Sequence, residues 1–120
     1  MIIIGGPSEV SKHQKLSMDG SDGIRYFKFD KSQLGIYKTL TDDGEDIAVI
    51  VSDIKELIFA CNIGVGYVVA NKEDAPIMQK IVDSYLFDTK LLAIIYDEDE
   101  IEWAAVAEID GVVIDEDETL

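Results

Sequence analysis

Short apolar runs recur about every 22 residues along the chain, and this spacing is the main feature of its hydrophobic pattern. Most of the runs are continuous and rich in β-branched residues, as in parallel strands that are buried on both faces. About 22 residues hold one strand, a three-turn helix and two short loops. The pattern therefore predicts six strands with helices between them, at residues 2–4, 24–29, 47–51, 67–70, 91–95 and 112–114.

The chain also repeats itself at an offset of 44 residues. Residues 53–60 align with residues 97–104, and each segment begins with an acidic residue that is followed by a compact apolar stretch. The apolar runs before and after the two segments align as well. Each copy has the pattern of a strand, a helix and a second strand, which indicates an α/β architecture with a parallel sheet.

Acidic residues mark the predicted helix starts. Asp53 and Asp97 each precede a glutamate by three residues, and a carboxylate in this position accepts hydrogen bonds from the free amides of the first turn. Asp74 is the predicted cap of a third helix, which has a proline in its first turn. A fourth helix is predicted at residues 31–41, and Gly64 is the predicted C-terminal glycine of the helix that begins at Asp53.

The alternation of strands and helices also predicts a helix between the first two predicted strands, but residues 7–23 are rich in serine and glycine. We expect a marginal helix at residues 8–16 and a mobile loop after it. The whole pattern predicts a single three-layer α/β domain at residues 1–115, with a mostly parallel sheet of about six strands in successive βα units. Residues 116–120 are predicted to form a solvated acidic tail.

The 120 residues suit one domain of ordinary size. No apolar run approaches the roughly 18 residues of a membrane helix, and the first residues lack the basic start and the length of a signal peptide. The single cysteine, Cys61, excludes a disulfide framework within the chain, and its position on an apolar helix face predicts a core residue. Together these features predict a cytoplasmic protein.

Charge is distributed unevenly along the chain, whose formal net charge is −15. Residues 1–45 contain seven acids and six bases, whereas residues 46–120 contain eighteen acids and four bases, none of them after Lys90. Such a surface repels phosphate groups, so nucleic acids and membrane surfaces are not expected as partners. An acidic surface can instead attract a basic protein, and the expected partner is therefore a protein or a second copy of the chain.

Ligand sites of open parallel sheets lie at the carboxyl ends of the strands, where the strand order reverses. Gly5 and Gly6 follow the first predicted strand and could admit an anion to the backbone, with Ser8 at a helix start. The segment lacks the third glycine of a dinucleotide loop and the lysine of a P-loop. If the first strand neighbours the third, as in many doubly wound sheets, one crevice is lined by Gly5, Gly6, Ser8, Asp53 and Asn71.

Lys72, after the fourth predicted strand, is a further candidate for binding a phosphate at this crevice. Aspartates also stand at the ends of predicted strands, and carboxylate oxygens are the ligands that Mg²⁺ prefers. The candidates for such a site are Asp53 and Asp97, with Asp30 and Asp115 as further possible ligands. Because Asp53 and Asp97 are also predicted helix caps, capping is the competing interpretation, and no cofactor other than Mg²⁺ is expected.

Residues 90–114 contain an apolar strand, an acidic helix start, an alanine-rich helix and a strand that begins Asp-Gly-Val-Val. This stretch resembles the last βαβ unit of a response-regulator receiver domain, a flavodoxin-like fold, and equally a strand-helix-strand piece of a phosphate-binding (βα)-barrel. The receiver resemblance implies that Asp53 stands where a receiver is phosphorylated. However, Gly5 and Gly6 stand where a receiver carries the acidic pair that binds its metal ion. In addition, no Lys-Pro pair follows a terminal strand. The resemblance therefore implies a pseudo-receiver that does not transfer phosphate.

Two hypotheses for the function follow. The first is a non-catalytic interaction or regulatory domain of receiver-like α/β fold that acts through an acidic surface or through dimerisation. The second is a small-molecule-binding protein or enzyme, dependent on phosphate or metal, that uses the loops at the carboxyl ends of the strands. Thermal melting with and without Mg²⁺, nucleotides and sugar phosphates separates the two, because a bound ligand raises the melting temperature.

Overall fold

The computed structural model describes residues 1–8 and 14–120, which alternate between strands and helices. The strands are β1 (Ile2–Gly5), β2 (Leu16–Ser17), β3 (Ile24–Lys28), β4 (Ala48–Ile50), β5 (Tyr67–Ala70), β6 (Lys90–Ile95) and β7 (Gly111–Ile114). The helices are α1 (Leu34–Asp42), α2 (Ile54–Ile63), α3 (Ala75–Ser84) and α4 (Ile101–Val106), with short 3₁₀ turns at Lys31–Gln33 and Glu98–Glu100. The α/β class and the alternation of strands and helices are confirmed.

All seven strands are parallel and belong to one sheet with the order β1-β7-β6-β5-β4-β3-β2. The two end strands also approach each other, because Gly5 and Lys15 form a parallel bridge and the Gly5 amide donates to the Gln14 carbonyl at 2.8 Å. The sheet thus curls until its edges meet, and the strands follow one another around a ring. The Cα extents of 37 × 33 × 20 Å fit such a disc with the strands along its short axis.

The inner face of the ring is lined by alternate residues of the strands. Each strand contributes one buried apolar residue to a single cluster, which consists of Ile4, Leu16, Ile24, Ala48, Val69, Leu92 and Val113. Residues two positions away along five of the strands pack against this cluster and are partly buried: Ile2, Tyr26, Ile50, Tyr67 and Ile94. The interior of the ring is therefore filled by apolar side chains, as in small barrels.

The outer face of the sheet carries the second and larger core. Buried residues of all four helices, such as Tyr37, Leu57, Met78 and Ala104, pack there against the outward-facing strand residues. Consecutive parallel strands joined by right-handed crossovers place their helices on the same face, which explains this arrangement. Within the described residues no helix contributes to the inner cluster, and all four helices pack on the outer face of the sheet. The described helices include none long and apolar enough to cross a membrane.

The strand order also changes the expected neighbours of the first strand. The prediction placed the first strand beside the third predicted strand, at residues 47–51, and a crevice between them. In the structure β1 pairs with β7 and touches the residues before β2, while the third predicted strand corresponds to β4, which pairs with β3 and β5. The order contains no reversal between sequential strands, so no such crevice forms between β1 and β4.

Local sequence signals placed most of the helices correctly. The Asp53 side chain accepts a hydrogen bond from the Glu56 amide at the start of α2, and Gly64 ends this helix with a φ of 88°. Asp97 begins a full capping box with Glu100. The predicted cap of α3 differs, because the Asp74 side chain makes no capping bond. The Asn71 side chain instead accepts from the Asp74 amide at 2.9 Å and shapes the turn before the helix.

The segment between β1 and β3 contains β2, the one strand of the seven that the apolar pattern did not predict. The helix predicted at residues 8–16 falls largely on residues 9–13, which lie outside the described residues, and its last residue, Leu16, belongs to β2. The predicted loop that follows is a turn in which the Asp19 side chain accepts from the Ser17 hydroxyl and the Ser21 amide. Lys15 pairs with Asp22 across this turn at 3.0 Å.

Candidate functional site

The carboxyl ends of all seven strands lie at one end of the ring, which we call the mouth, and catalytic residues of (βα)-barrels lie at this end. Residues 115–120 of the chain cover the mouth. Asp115 is only 1% exposed, and its carboxylate accepts hydrogen bonds from the Thr119 amide, the Thr119 hydroxyl and the Leu120 amide. The Leu120 side chain packs against the inner cluster. The chain thus occupies its own mouth, although residues 116–118 are exposed.

The amides of Gly5 and Gly6, predicted to receive an anion, are already engaged within the protein. Gly5 donates to the Gln14 carbonyl and Gly6 to the Ile114 carbonyl, both at 2.8 Å. A Cβ atom on Gly6 would lie 2.7 Å from Asp115 Oδ1. Glycine at position 6 therefore makes room for the Asp115 carboxylate. Ser8, the third member of this group, is an exposed residue.

The aspartates considered as Mg²⁺ ligands act as local hydrogen-bond acceptors. Asp53 accepts from the Glu56 amide at 2.8 Å, and Asp97 accepts from the Asp99 amide at 2.8 Å. Asp30 accepts from the Ser32 amide and hydroxyl, and these bonds lower the pKa of its carboxyl group. Over residues 1–8 and 14–120, no group of three or more histidine, cysteine or acidic side chains could hold a metal ion.

Lys72, predicted to bind a phosphate, is held by the acidic loop after β6. Its ammonium group lies 3.0 Å from Glu100 Oε1 and 4.9 Å from the centre of the Trp103 ring. Hydrogen bonds from the Tyr96 amide, above all, and from Lys72 lower the pKa of Glu100. Asn71, the other residue predicted in this loop, uses its side-chain oxygen for the turn before α3.

The predicted site residues are thus divided among separate parts of the mouth rather than brought together. Gly5 and Gly6 lie between β7 and the residues before β2, with Asp115 beside Gly6. Asp53 lies beside residues that follow β3, and Lys72 packs against α4. The predicted residues therefore form no common site, and three other features of the mouth are the candidate sites.

The first feature is a set of exposed carboxylates from two neighbouring loops, which we call the acidic rim. The loops follow β6 and β7, which pair with each other along their length. Residues 91–120 contain eleven acids and no lysine or arginine, and Lys72 is the cation seen among the described residues to pair with this segment. The exposed members of the acidic rim are Asp97, Glu98, Asp99, Glu116, Asp117 and Glu118 in these loops, together with Glu102 in the first turn of α4.

The second feature is a cleft of about 530 Å³ between the ends of β3 and β4, which we call the lysine cleft. Phe29 and Phe59 stack with their ring centres 6.3 Å apart, and the Lys31 ammonium lies 5.9 Å from the Phe59 ring centre. No ion pair within residues 1–8 and 14–120 includes its three lysines. The cleft is lined by Lys28, Phe29, Asp30, Lys31, Asp53, Lys55, Glu56 and Phe59.

The third feature is a groove of about 270 Å³ between the first turns of α2 and α3, which we call the isoleucine groove. Ile54 and Ile77 form its walls, and Met78 is the buried residue that lines it. Asp53 and Asp74 also line the groove, so a mainly apolar surface lies beside two carboxylates.

Of the residues that line the lysine cleft, the sequence pattern indicated Asp30 and Asp53 as candidate ligands but not the lysines or the phenylalanines. Lys28, Phe29 and Phe59 belong to strand and helix positions that the apolar pattern assigns to structure rather than to a site. One signal was available: three of the ten basic residues lie within residues 28–31 and 53–56, the ends of two strands that pair in the sheet. In an acidic chain, such a local excess of lysine marks a candidate surface.

Comparisons with known proteins give no relative for this chain: it matches no protein-family model, and no curated protein shows significant similarity to it.

Proposed function

We propose that this protein is a non-catalytic interaction or regulatory domain that binds a basic protein partner through the acidic rim. The observation that carries the proposal is the position of six exposed carboxylates on two adjacent loops and a seventh in the first turn of α4, in a stretch of the chain without lysine or arginine. Charges of one sign on a single face attract an oppositely charged partner and speed its association. Repulsion among them is relieved when a partner supplies lysine and arginine side chains.

The state of the mouth supports a non-catalytic role. A (βα)-barrel enzyme builds its active site from the loops at the carboxyl ends of the strands. Here Leu120 packs on the inner cluster at this end, and Asp115 is bonded to the residues that cover it. The aspartates at the strand ends cap helices or turns, so their lone pairs are partly used by the protein itself.

Strand order bears on the two resemblances seen in the sequence. Flavodoxin-like sheets have the order 2-1-3-4-5 with helices on both faces. The present sheet has consecutive strands as neighbours from β2 to β7 and helices on one face. This arrangement favours the (βα)-barrel side of the resemblance, and we propose that the interaction domain is a small, flattened relative of such barrels in architecture.

The proposal is tested by neutralising part of the acidic rim and measuring the binding of a fluorescent octalysine peptide by anisotropy. Glu98→Gln, Asp99→Asn and Glu102→Gln are combined, because these side chains are exposed and make no hydrogen bond within the described residues. The control combines Asp43→Asn, Asp46→Asn and Asp88→Asn, which change the net charge equally but precede strands at the opposite end of the ring.

The acidic-rim variant is expected to bind the peptide severalfold more weakly than the control variant, at both low and physiological salt. Equal weakening by the two variants would show that only the net charge matters. A parent protein that does not bind octalysine at all would also contradict the proposal. Dimerisation, the other mode considered for this surface, is read from the molar mass by light scattering at two salt concentrations.

The lysine cleft favours a second candidate function, the binding of a small anion at the strand ends. Its three lysines are the group most able to attract an anion in a chain with a net charge of −15. Asp30, Asp53 and Glu56 line the same cleft and oppose this attraction. Melting in the presence of phosphate, nucleotides or sugar phosphates, each with and without Mg²⁺, tests it, and a ligand at 100 times its Kd adds about 2.7 kcal/mol. Unchanged melting temperatures would exclude the ligands tested.

A further inference from the structure

We infer that the isoleucine groove receives a lysine or arginine side chain from an extended segment of the basic partner. This inference rests on the proposed function and adds a defined contact to it. The aliphatic stem of the side chain would lie between Ile54 and Ile77, and its charged group would reach Asp74. Long basic side chains commonly bury their stems on apolar surface and keep the charge at a polar edge.

The walls of the groove suit an aliphatic stem. Ile54 is 46% exposed and Ile77 is 59% exposed, whereas Met78 beside them is 2% exposed and therefore rigidly packed. The groove has a volume of about 270 Å³, which is enough for a single side chain rather than for a helix. Covering two exposed isoleucines with methylene groups is favourable, because it removes apolar surface from water.

The carboxylates at the edge of the groove favour a basic side chain over a purely apolar one as the occupant. The half-buried Asp74 carboxylate accepts no hydrogen bond and joins no ion pair among the described residues. Its expected capping role is filled by Asn71, which accepts from the Asp74 amide. Asp53, at the other helix start, uses one oxygen for its cap. Two carboxylates thus flank the apolar walls, and one of them is free to bind a cation.

The groove is also connected to the acidic rim. Lys72 and Asp74 belong to the same turn after β5, and Lys72 pairs with Glu100 in the loop that carries Asp97, Glu98 and Asp99. A partner segment that lies along the acidic rim therefore reaches the groove without leaving the mouth. This continuity, together with the charge complementarity, favours a basic protein over a small molecule as the occupant.

The test uses peptides in which glycine alternates with one of three residues: lysine, 2,4-diaminobutyrate or norleucine. Diaminobutyrate keeps the charge on a stem two methylenes shorter, and norleucine keeps the stem without the charge. Binding to the full chain is measured by anisotropy at pH 6.5 for the parent, Asp74→Asn and Ile77→Ala. Asp88→Asn and Val106→Ala are the controls, because both residues are exposed and lie outside the groove and the acidic rim, with Asp88 at the opposite end of the ring.

The parent is expected to prefer the lysine peptide over the diaminobutyrate peptide by about threefold, since the stem is only partly buried. Asp74→Asn should weaken the binding of the lysine peptide by about threefold to fivefold, the range of an exposed ion pair, and more than Asp88→Asn does. Ile77→Ala should abolish the preference for the longer stem, whereas Val106→Ala should keep it. Norleucine peptides should bind to none of the proteins.

Three results would overturn the inference. Equal weakening by Asp74→Asn and Asp88→Asn would reduce the contact to general electrostatics. Equal affinity of the parent for the lysine and diaminobutyrate peptides would remove the stem contact. In either case, a loss of binding in the acidic-rim variant would leave the proposed function standing. If the parent binds no basic peptide, the inference and the proposed function both fail.

Discussion

Gly6 shows how the role of a single residue depends on what packs against it. In the sequence, two glycines after a strand are compatible with an anion-binding turn. In the structure the Gly6 amide donates to Ile114, and the Asp115 carboxylate occupies the space beside its Cα atom. The Asp115 carboxylate in turn accepts three hydrogen bonds from the residues that cover the mouth. The absence of a side chain at position 6 thus permits the closure of the mouth.

Gly6→Ala is therefore expected to destabilise the protein. The new Cβ atom would lie 2.7 Å from Asp115 Oδ1 and 3.1 Å from Asp115 Cα, so the covering residues must shift. Overpacking of this kind costs about 1–3 kcal/mol, which urea unfolding measures. Gly35→Ala is the control, because its Cβ atom would meet nothing within 4 Å. Gly35 lies in α1, where alanine should stabilise by about 0.5–1 kcal/mol. An unchanged stability of Gly6→Ala would contradict the packing of Asp115.

The thiol of Cys61 is expected to be unreactive in the folded protein. Cys61 is buried in the outer core, and burial raises the pKa of its thiol to about 11, so little thiolate is present at pH 8. A thiol reagent should therefore react only as urea unfolds the chain. The double variant Cys61→Ala/Asn62→Cys moves the thiol to the exposed neighbouring position and should react at once. Rapid labelling of Cys61 without urea would show that the core opens locally.

At the scale of elements, α2 and α4 show that short-range signals decide where helices begin. Asp53 and Asp97 both accept a first-turn amide, and in each case the glutamate three residues later reaches back to backbone amides before the helix. This local pattern explains the repeat at an offset of 44 residues. Residues 91–114 form a strand-helix-strand unit as predicted, because β6 and β7 are parallel with α4 between them.

Glu100→Ala is expected to lower the stability by about 1–2 kcal/mol at pH 7, since it removes half of a capping box. The hydrogen bonds of Glu100 lower its pKa in the folded state, so its stabilisation is complete above the unfolded pKa of about 4.3. It is lost as the pH falls through the lower folded value. The difference between parent and variant should therefore disappear in strong acid, as measured by denaturation at several pH values.

Glu98→Ala is the matched control for this prediction. Glu98 is exposed in the same turn, and its side chain makes no hydrogen bond within the described part of the chain. Its replacement should change the stability by no more than about 0.5 kcal/mol. If both variants lose the same stability, or if the loss persists below pH 2, the capping box is not the source of the effect.

For the whole molecule, the ring of strands and the placement of charge have different origins. The ring closes through β1, which pairs with β7 from the other end of the sequence and also bridges through Gly5 to Lys15. The charge follows directly from composition, and its exposure follows from the burial of the apolar residues. Four ion pairs are seen among the described residues, so most carboxylates face solvent without a cation.

The melting temperature is therefore expected to rise when salt increases from about 10 mM to physiological strength, because salt screens repulsion between exposed carboxylates. The variant that neutralises Glu98, Asp99 and Glu102 should melt at a higher temperature at low salt and respond less to added salt. Calorimetry at several sodium chloride concentrations measures both effects. A fall in melting temperature with salt would mean that attractive ion pairs dominate, contrary to the structure.

The sequence by itself determined the parallel α/β class, the positions of six strands and the starts of α2 and α4. These features are encoded within a few residues, through apolar runs, capping residues and glycines, and each run is long enough to give a signal. The two-residue strand β2 gives none, because Leu16 and Ser17 lie in a segment rich in serine and glycine. Its place in the sheet depends on the pairing with β3 and the bridge to Gly5.

Only the tertiary structure decided how the strand ends combine into surfaces. Apolar spacing cannot show which strands pair at the edges, so it did not show that the sheet closes or that the helices share one face. The candidate surfaces also depend on which strands are neighbours. The lysine cleft joins residues after β3 to residues of α2, and the isoleucine groove joins α2 to α3. Their chemistry arises from side chains that meet only once the strand order is established.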